Sequence, residues 1–344
     1  MATSLLVTGG AGFIGSHTLI QLIQVGYDVT VIDNLANSSI ESIRRVERIA
    51  GSSITFVQGD ICSPADLDGV FRTASENGRP FEAVIHFAGL KAVGDSVAQP
   101  LAYYTTNVNG SLNLLKAMDD WDVKKIIFSS SATVYGESPV LPYSEGHPIA
   151  PTNPYGRTKA MVEQVLNDWV QAGTGRSAVS LRYFNPIGAH ESGLIGESPH
   201  GRPNNLFPFI TQVAIGKQSV LSVFGSDYDT IDGTGVRDYI HVMDVGSGHV
   251  SAVQYLADRN GYFVFNLGTG RGTSVFELVK AFENTTGCAI ALEVKGRRPG
   301  DIAVAYADVA FTQGELGWKA VKSVEEMCAD GWRWQSTNAN GYDA

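Results

Sequence analysis

The segment Leu5-Leu-Val-Thr-Gly-Gly-Ala-Gly-Phe-Ile-Gly15 constrains this chain more than any other feature: an apolar run of β type breaks into glycines at 9, 10, 12 and 15 and passes straight into a helix-length stretch ending near Gly26. Both a GxGxxG spacing (10, 12, 15) and a GxxGxxG spacing (9, 12, 15) are satisfied by the same residues. Glycines at such a strand-to-helix turn let the backbone fold sharply and approach a pyrophosphate, which rests against the unpaired N–H groups at the helix start. Asp33 follows at the end of a second apolar run, 18 residues after Gly15. That is close to the spacing at which an acid binds the adenosine ribose hydroxyls, and a carboxylate there repels a 2′-phosphate, so NAD is expected rather than NADP. Asp60, in Gly59-Asp60-Ile61 after a third run, is placed to reach the adenine.

The same rhythm continues downstream. Strands are expected at 5–8, 29–33, 55–57, 83–87, 125–129 and 179–183, each nearly all apolar and each separated from the next by an amphipathic segment. Runs without polar alternation belong to parallel strands covered on both faces, and the alternation as a whole predicts a doubly wound, Rossmann-type α/β sheet. Beyond about residue 185 the rhythm gives way to a Gly/Pro/Asn-rich passage, 185–205, too irregular for another βα unit. A smaller C-terminal α/β substrate domain over 185–344 is therefore expected beside a dinucleotide-binding domain over 1–184. The helical segment 242–256 can return to the first domain, so part of 236–258 is assigned there. A further helix is expected at 274–286, and the tail 338–344 should fray.

Composition narrows the class. A hydrophobic content of 44% with 17% charged residues over 344 residues fits a globular enzyme, and a net charge of -10 argues against a nucleic-acid partner. Cys62, Cys288 and Cys328 share no metal-type spacing, and no apolar run is long enough to cross a bilayer. A reducing, cytoplasmic setting is the expectation, with no membrane partner. His86 and His241 lie in apolar runs and read as hydrogen-bonded core histidines; His190 and His200 lie in the irregular passage without metal-like spacing, so no metal is expected.

Asn153-Pro-Tyr-Gly-Arg-Thr-Lys159 reads as a helix start. Positions i and i+4 lie on one helix face about 6 Å apart, so Tyr155 and Lys159 project together. A phenol with an ordinary pKa near 10 is a poor base at neutral pH. A neighbouring ammonium and the positive ring of an oxidised nicotinamide should lower it, turning Tyr155 into a usable base. Ser131 closes the fifth expected strand, at the sheet edge where ligands bind in such folds.

Taken together, TGGAGFIG, HFAGLKAVGDSV, SSSATVYG, NPYGRTK, LRYFNPIGAH, RPNNL and DGTGVRDYIHVMD resemble the UDP-glucose (UDP-galactose) 4-epimerases of the extended short-chain dehydrogenase/reductase family, over about residues 4–336. The resemblance implies a UDP-hexose 4-epimerase with tightly held NAD and a homodimer built on the segment 95–121 and the helix 155–169, whose apolar periodicity is explained equally well by core packing against the sheet. It implies that Ser131, Tyr155 and Lys159 are catalytic, with Lys159 also holding the nicotinamide ribose. Cofactor contacts are implied at Gly9, Gly12, Phe13, Ile14 and Gly15, at Asn34, Asn37 and Ser38 beside Asp33, and at Ile61 beside Asp60. Phe87, Ala88, Lys91 and Phe184 complete that set. Thr106 departs from the asparagine that the resemblance places there. For the UDP-sugar it implies Asn185, Asn205, Leu206, Phe224, Arg237, Arg298 and Asp301, the two arginines on the diphosphate. Sugar 4,6-dehydratases share the fold but carry Thr-Asp-Glu where this chain has Ser131-Ala132-Thr133, which lacks the acid that elimination of water needs. A non-catalytic NAD-sensing protein is a third class, and should have lost Tyr155 or Lys159. Counting from Asp301, the position that is a bulky tyrosine in enzymes restricted to non-acetylated sugars is Ala305. UDP-N-acetylglucosamine and UDP-N-acetylgalactosamine are therefore expected to be interconverted too, whereas a slip of one residue would put Tyr306 there.

Overall fold

The computed structural model describes residues 2–199, 203, 205–298 and 301–343. His200 and parts of the RPNNL and Arg298–Asp301 motifs lie outside them. By internal contacts the chain forms two compact units. The first comprises Met1–Gly136, Pro148–Arg182 and Gly246–Phe265; the second comprises Glu137–His147, Tyr183–Val245 and Asn266–Ala344.

The first unit is built on a seven-stranded sheet. Its first six strands are β1 (Ser4–Thr8), β2 (Asp28–Asp33), β3 (Thr55–Gln58), β4 (Ala83–His86), β5 (Lys125–Ser131) and β6 (Ser177–Tyr183). Together with the strand Gly261–Leu267 they run across the sheet in the order Gly261–Leu267, β6, β5, β4, β1, β2, β3. From β3 to β5 every pairing is parallel, and β1 aligns Leu5 with both Val29 and Ala83. Strand order reverses beside β1, which marks the carboxyl end of β1 and β4 as the switch point where such sheets bind ligands. Six strands lie within two residues of their expected positions. The seventh was not expected: Gly261-Tyr-Phe-Val-Phe-Asn-Leu is apolar and aromatic, but it follows a helix in a region whose rhythm had already changed.

Helices close both faces of this sheet because its strands have no polar face to leave in water. Leu6, Ile32, Val84, Ile126 and Phe128 of the strands pack with Leu67, Val70, Phe71, Leu114, Met118, Val162 and Leu166 of the helices Pro64–Glu76, Gly110–Asp120 and Pro154–Gln171. Each such side chain contributes about 1.5–3 kcal/mol by leaving water. The expected segment 95–121 is broken: Val93–Ala98 stops before Pro100, Pro100–Tyr103 follows, and Tyr104–Asn109 is a π-helix leading into Gly110–Asp120. Proline supplies no N–H to the preceding turn, which explains the first break.

The second unit has its own core, in which Phe207, Ile210, Leu221, Val223, Leu278, Phe282 and Met327 are buried together. Val236–Arg237 lies between Thr273–Ser274, antiparallel, and Val304–Ala305, parallel. Leu221–Phe224 pairs with Leu292–Lys295, and Asn185–Ile187 with Tyr239–His241. Helix Val275–Thr286 starts on a capping box formed by Ser274 and Glu277. The segment Glu137–His147 is tied into this unit through Tyr143, whose N–H donates to the Tyr306 carbonyl (3.0 Å) and whose carbonyl accepts from Asp308 (2.8 Å).

Candidate active site

At the carboxyl end of β1 the chain turns through Gly9, which has φ +71°. A side chain there is excluded on two counts: the left-handed backbone, and a Cβ that would stand 2.6 Å from the Ala88 amide nitrogen. Gly15 is fixed by packing, since its Cβ would lie 2.5 Å from the Gly9 carbonyl. Gly12 caps helix Phe13–Gln24 with no side-chain hydrogen bond, so the first amides, those of Phe13 and Ile14 among them, lack both an intrahelical and a side-chain partner. An anion fits there. The Asp33 carboxylate is anchored at the end of β2 by the amides of Ala11 (3.0 Å) and Leu35 (2.9 Å) and the Ser38 hydroxyl (2.8 Å). Asn34 donates to Asp60 (2.9 Å), which also accepts from the Cys62 amide (2.7 Å). Burial pushes the Asp60 carboxyl up, but the Cys62 amide and Asn34 outweigh it and hold the group below its ordinary value. Ile61 is buried, with its side chain where a Gly110 Cβ would fall, 2.6 Å away. Phe87 packs on His249, their rings 4.6 Å apart. Asn37 and Lys91 are exposed. The residues expected to hold a dinucleotide thus gather at the ends of β1, β2, β3 and β4, apart from Phe184, which belongs to the second unit and packs on Tyr143.

Helix Pro154–Gln171 starts as expected. The Asn153 side chain accepts from the Gly156 amide (2.9 Å) and Pro154 occupies the first turn, where its missing N–H is harmless. Tyr155 follows, near enough to Ser131 for the serine hydroxyl to favour its phenolate, and with its ring edge-on to Tyr103 at 6.5 Å. Ser131 Oγ also accepts from the Thr133 amide (3.2 Å) and hydroxyl (3.0 Å). Lys159 is buried, donates to the Ser129 carbonyl at 2.6 Å, and lies 4.8 Å from the Phe128 ring centre and 5.8 Å from that of Tyr155. The three expected catalytic residues are therefore together.

Their electrostatics correct one expectation. The Tyr155 phenol is not lowered in the protein itself: burial pushes it up to about 12, opposed by the Ser131 hydrogen bond and reinforced by Tyr103. The Lys159 ammonium donates to Ser129, and burial pulls its own pKa down to about 8 while Glu163 opposes the fall. Protein charge alone therefore leaves the phenol protonated at neutral pH.

Sequence reasoning passed over Asn107. Buried at 3% exposure on the π-helix, it accepts from the Leu90 amide (2.7 Å) and donates to the Leu90 carbonyl (3.0 Å) and Thr158 Oγ1 (3.0 Å). It ties the loop after β4 to the Tyr155 helix. Asn107 adjoins Thr106, the position at which the resemblance places an asparagine, and the signal for it was the pair Asn107 and Asn109 flanking Val108. His86 is structural, as expected: it bonds Thr8 (2.7 Å) and Ser111 (2.9 Å), and burial, then the Lys159 charge, lowers its pKa to about 3. His241 Nδ1 accepts from the Met243 amide (3.0 Å) and the ring meets Asp330 at 3.3 Å; His190 pairs with Ser192 (2.8 Å). Among the described residues no cluster with metal-binding character occurs.

In the second unit, Arg298 pairs with Asp301 through both oxygens (2.9 and 3.2 Å) while stacking over Phe224 at 4.5 Å. Arg237 donates to the Val236 and Ala303 carbonyls (2.8 and 3.4 Å) and sits opposite Ala305 in the strand register. The Asn185 amide donates to the Asp238 carbonyl (2.9 Å), next to Arg237. Asn205 heads helix Leu206–Ala214 and donates to Glu197 (3.3 Å). Asp238 is buried and accepts from Thr269 N–H (2.8 Å), Thr269 O–H (2.6 Å), Gly270 N–H (3.0 Å) and Ala307 N–H (3.1 Å).

Residues 6–331 match the family model described as GDP-mannose 4,6 dehydratase. The chain is 55% identical over 339 residues to the UDP-glucose 4-epimerase of Bacillus subtilis (strain 168), covering 98% of each. It is similar to the crystal structure of UDP-glucose 4-epimerase from Stenotrophomonas maltophila with bound NAD and formylated UDP-arabinopyranose, at TM-score 0.95 and 48% identity over 98% of this chain and 99% of that one. The enzyme from Bifidobacterium longum in complex with NAD+ and UDP gives TM-score 0.94 and 51% identity, over 98% of this chain and 100% of that one.

Lys159 yields a test of the electrostatics. Its folded pKa of about 8 lies below the unfolded value of 10.5, so the unfolded chain binds more protons between these limits. The penalty of burying the ammonium is complete below pH 8 and is relieved as pH rises towards 10.5. Denaturant titrations of wild type and Lys159→Met should show wild type gaining on the variant by up to about 3 kcal/mol from pH 7 to pH 10. A difference that stays flat would contradict the depressed pKa.

Proposed function

Because the chain belongs to the UDP-glucose 4-epimerase family of extended short-chain dehydrogenases/reductases, we propose that it interconverts UDP-glucose and UDP-galactose. The observation that carries this reading is the hydroxyl pair of Ser131 and Tyr155 with Lys159 on the next helical turn, beside a dinucleotide-type glycine turn. Bound NAD supplies a hydride acceptor that becomes a donor, so C4 of the sugar is oxidised to a ketone and re-reduced with no net consumption of cofactor. Gly9 and Gly15 leave room for its pyrophosphate against the helix Phe13–Gln24, and Asp33 is held in place for the adenosine ribose. Asn34, Asn37, Ser38, Asp60, Ile61, Phe87, Ala88, Lys91 and Phe184 are assigned to the rest of it.

Tyr155 takes the proton of the sugar 4-hydroxyl and returns it, and Ser131 orients or relays that proton. A positive charge brought by the ligand is what makes the phenol a base, since the protein's own surroundings hold it near 12. Lys159 holds the nicotinamide ribose. Arg237 and Arg298 take the diphosphate, the second with its fork pre-oriented by Asp301 over Phe224. Asn185, Asn205 and Leu206 take the remainder of the UDP group. The match to a dehydratase model reflects the shared fold: Ala132 and Thr133 supply no acid to expel a hydroxyl at C6. A sensor without chemistry would have no need of the Ser131–Tyr155 pair.

Ala305 is assigned as the residue beside C2 of the sugar. It is paired with Arg237 in the strand register. Successive side chains of a strand point to opposite faces, so Tyr306 lies on the other face from Ala305, and it packs near Gly272. The methyl group supports turnover of N-acetylated UDP-sugars as well.

Val93, Val97, Leu101 and Met161, exposed by 42%, 64%, 79% and 45%, lie on the helices assigned to a homodimer. A second copy covers them in this reading, and a monomeric mass by light scattering at micromolar concentration would refute it. The cysteines are unpaired and, among the described residues, no helix is long and apolar enough to cross a membrane. The cytoplasm is the proposed compartment, which cell fractionation tests.

Two experiments bear on the chemistry. UDP-galactose deuterated at C4 should give UDP-glucose that keeps its deuterium, and Tyr155→Phe should retain the cofactor while losing about 100-fold or more in kcat; washout of label or full activity in the variant would refute the mechanism. For specificity, Ala305→Tyr should abolish turnover of the N-acetylated pair and spare UDP-glucose. Equal inability of wild type and variant to use the acetylated pair would reject the role of Ala305.

A further inference from the structure

Tyr155, Lys159 and Glu163 recur at intervals of four along helix Pro154–Gln171 and so share one face. The reaction described above uses the first two. Glu163 is 5% exposed, and a carboxylate so deep in a protein requires partners. Arg182 grips it through both oxygens, Nε to Oε1 at 3.0 Å and Nη2 to Oε2 at 2.6 Å, and Ser130 Oγ donates to Oε1. The guanidinium is completed by Tyr135, whose hydroxyl accepts from Nη1 at 3.0 Å and whose ring centre lies 4.8 Å away. These contacts fasten the helix to the strand end that carries the reacting groups. Lys159 bonds the Ser129 carbonyl and Glu163 the Ser130 hydroxyl, while Tyr155 lies by Ser131: three successive strand residues face three successive turns of one helix.

We propose that Glu163 is a positioning residue for the reaction: clamped by Arg182 and Ser130, it is the buried counter-charge that keeps Lys159 an ammonium and it fixes the strand end that presents Ser131 to Tyr155. Lys159 faces the Phe128 ring and Ser129 carbonyl of β5, His86 of β4, and Tyr155 and Glu163 of its own helix. Of these groups His86 and Tyr155 are held neutral at pH 7 by their surroundings, so Glu163 is the one among them that carries negative charge. Burial already draws Lys159 down to about 8, and Glu163 opposes that fall. Removing the carboxylate leaves Arg182 as an unbalanced positive charge in the same interior, so the ammonium is destabilised twice over. The role assigned to Lys159 rests on the epimerase reading; the action of Glu163 on Lys159 does not.

The test is a pH titration of the full chain labelled with 13Cε-lysine, without substrate, the Lys159 resonance being identified by its loss in Lys159→Met. Glu163→Gln should lower the Lys159 midpoint by about one to two pH units, and Glu163→Asp should restore part of it. Ser130→Ala, which leaves both charges, should leave the midpoint in place. If Glu163→Gln does not fold, Glu163→Gln combined with Arg182→Met removes both charges and should still titrate below wild type. In the epimerase assay the alkaline limb of kcat should move to lower pH with the Lys159 midpoint. An unmoved midpoint in the folded variants, or an equal shift in Ser130→Ala, would overturn the proposal and leave Glu163 a fastener of helix to sheet. A shifted midpoint in a protein whose wild type lacks epimerase activity would refute the functional reading while sustaining the counter-charge.

Discussion

One helix start governs the chemistry of this protein. Asn153 caps the helix Pro154–Gln171 through the Gly156 amide, and Pro154 fixes the first turn, so the rotational phase of everything after it is set by two residues. Tyr155 then falls against Ser131 and Lys159 against Ser129 because 3.6 residues per turn bring every fourth residue back to the same face. Asn107 secures the same helix from the other side by joining Thr158 to the loop after β4. That loop also limits Gly9, whose missing side chain lets it lie against Ala88. The glycine turn and the Ser131, Tyr155 and Lys159 cluster are therefore one connected construction within the first unit.

Burial in this construction favours the neutral form of both groups, at a cost to stability from the Lys159 ammonium. Burying an ammonium lowers its pKa and burying a phenol raises it, so both catalytic groups are held in the protein in their less charged direction. A site balanced this way responds strongly to any further charge. A positive charge that a ligand placed beside the phenol would be little screened by water there and would favour the phenolate.

Much of this was legible in the sequence where the signal is local. The glycine turn, the six leading strands, the Asn-Pro helix start and the spacing of Tyr155 and Lys159 follow from chain geometry over a few residues. The phase of Tyr104–Asn109 was not legible, because a π-helix inserts an extra residue per turn without a compositional mark, and Asn107 went unnoticed one place from the position under scrutiny. The strand Gly261–Leu267 was missed because a short apolar run after a helix has no periodicity to separate strand from helix. The raised pKa of Tyr155 was out of reach as well: spacing shows that Lys159 is near, but not how deeply the phenol is buried.

In the second unit register does the work that helix phase does in the first. Ala305 and Tyr306 differ by one place, and a strand that slipped by one residue would exchange a methyl group for a phenol on the face shared with Arg237. A two-residue strand such as Val304–Ala305 has too few ladder bonds to hold its own register. Asp238 supplies what is missing. Its carboxylate accepts from the Ala307 amide and from the Thr269 and Gly270 amides, while its own amide donates to the Ala305 carbonyl at 3.0 Å. Burial raises its pKa, opposed first by Thr269, the expected signature of a carboxylate kept in the interior for the bonds it makes. The residue next to Arg237 therefore also fixes which side chain, Ala305 or Tyr306, shares its face. These bonds run through the Ala305 carbonyl and the Ala307 amide, so the register is held by backbone groups whatever the side chain at 305.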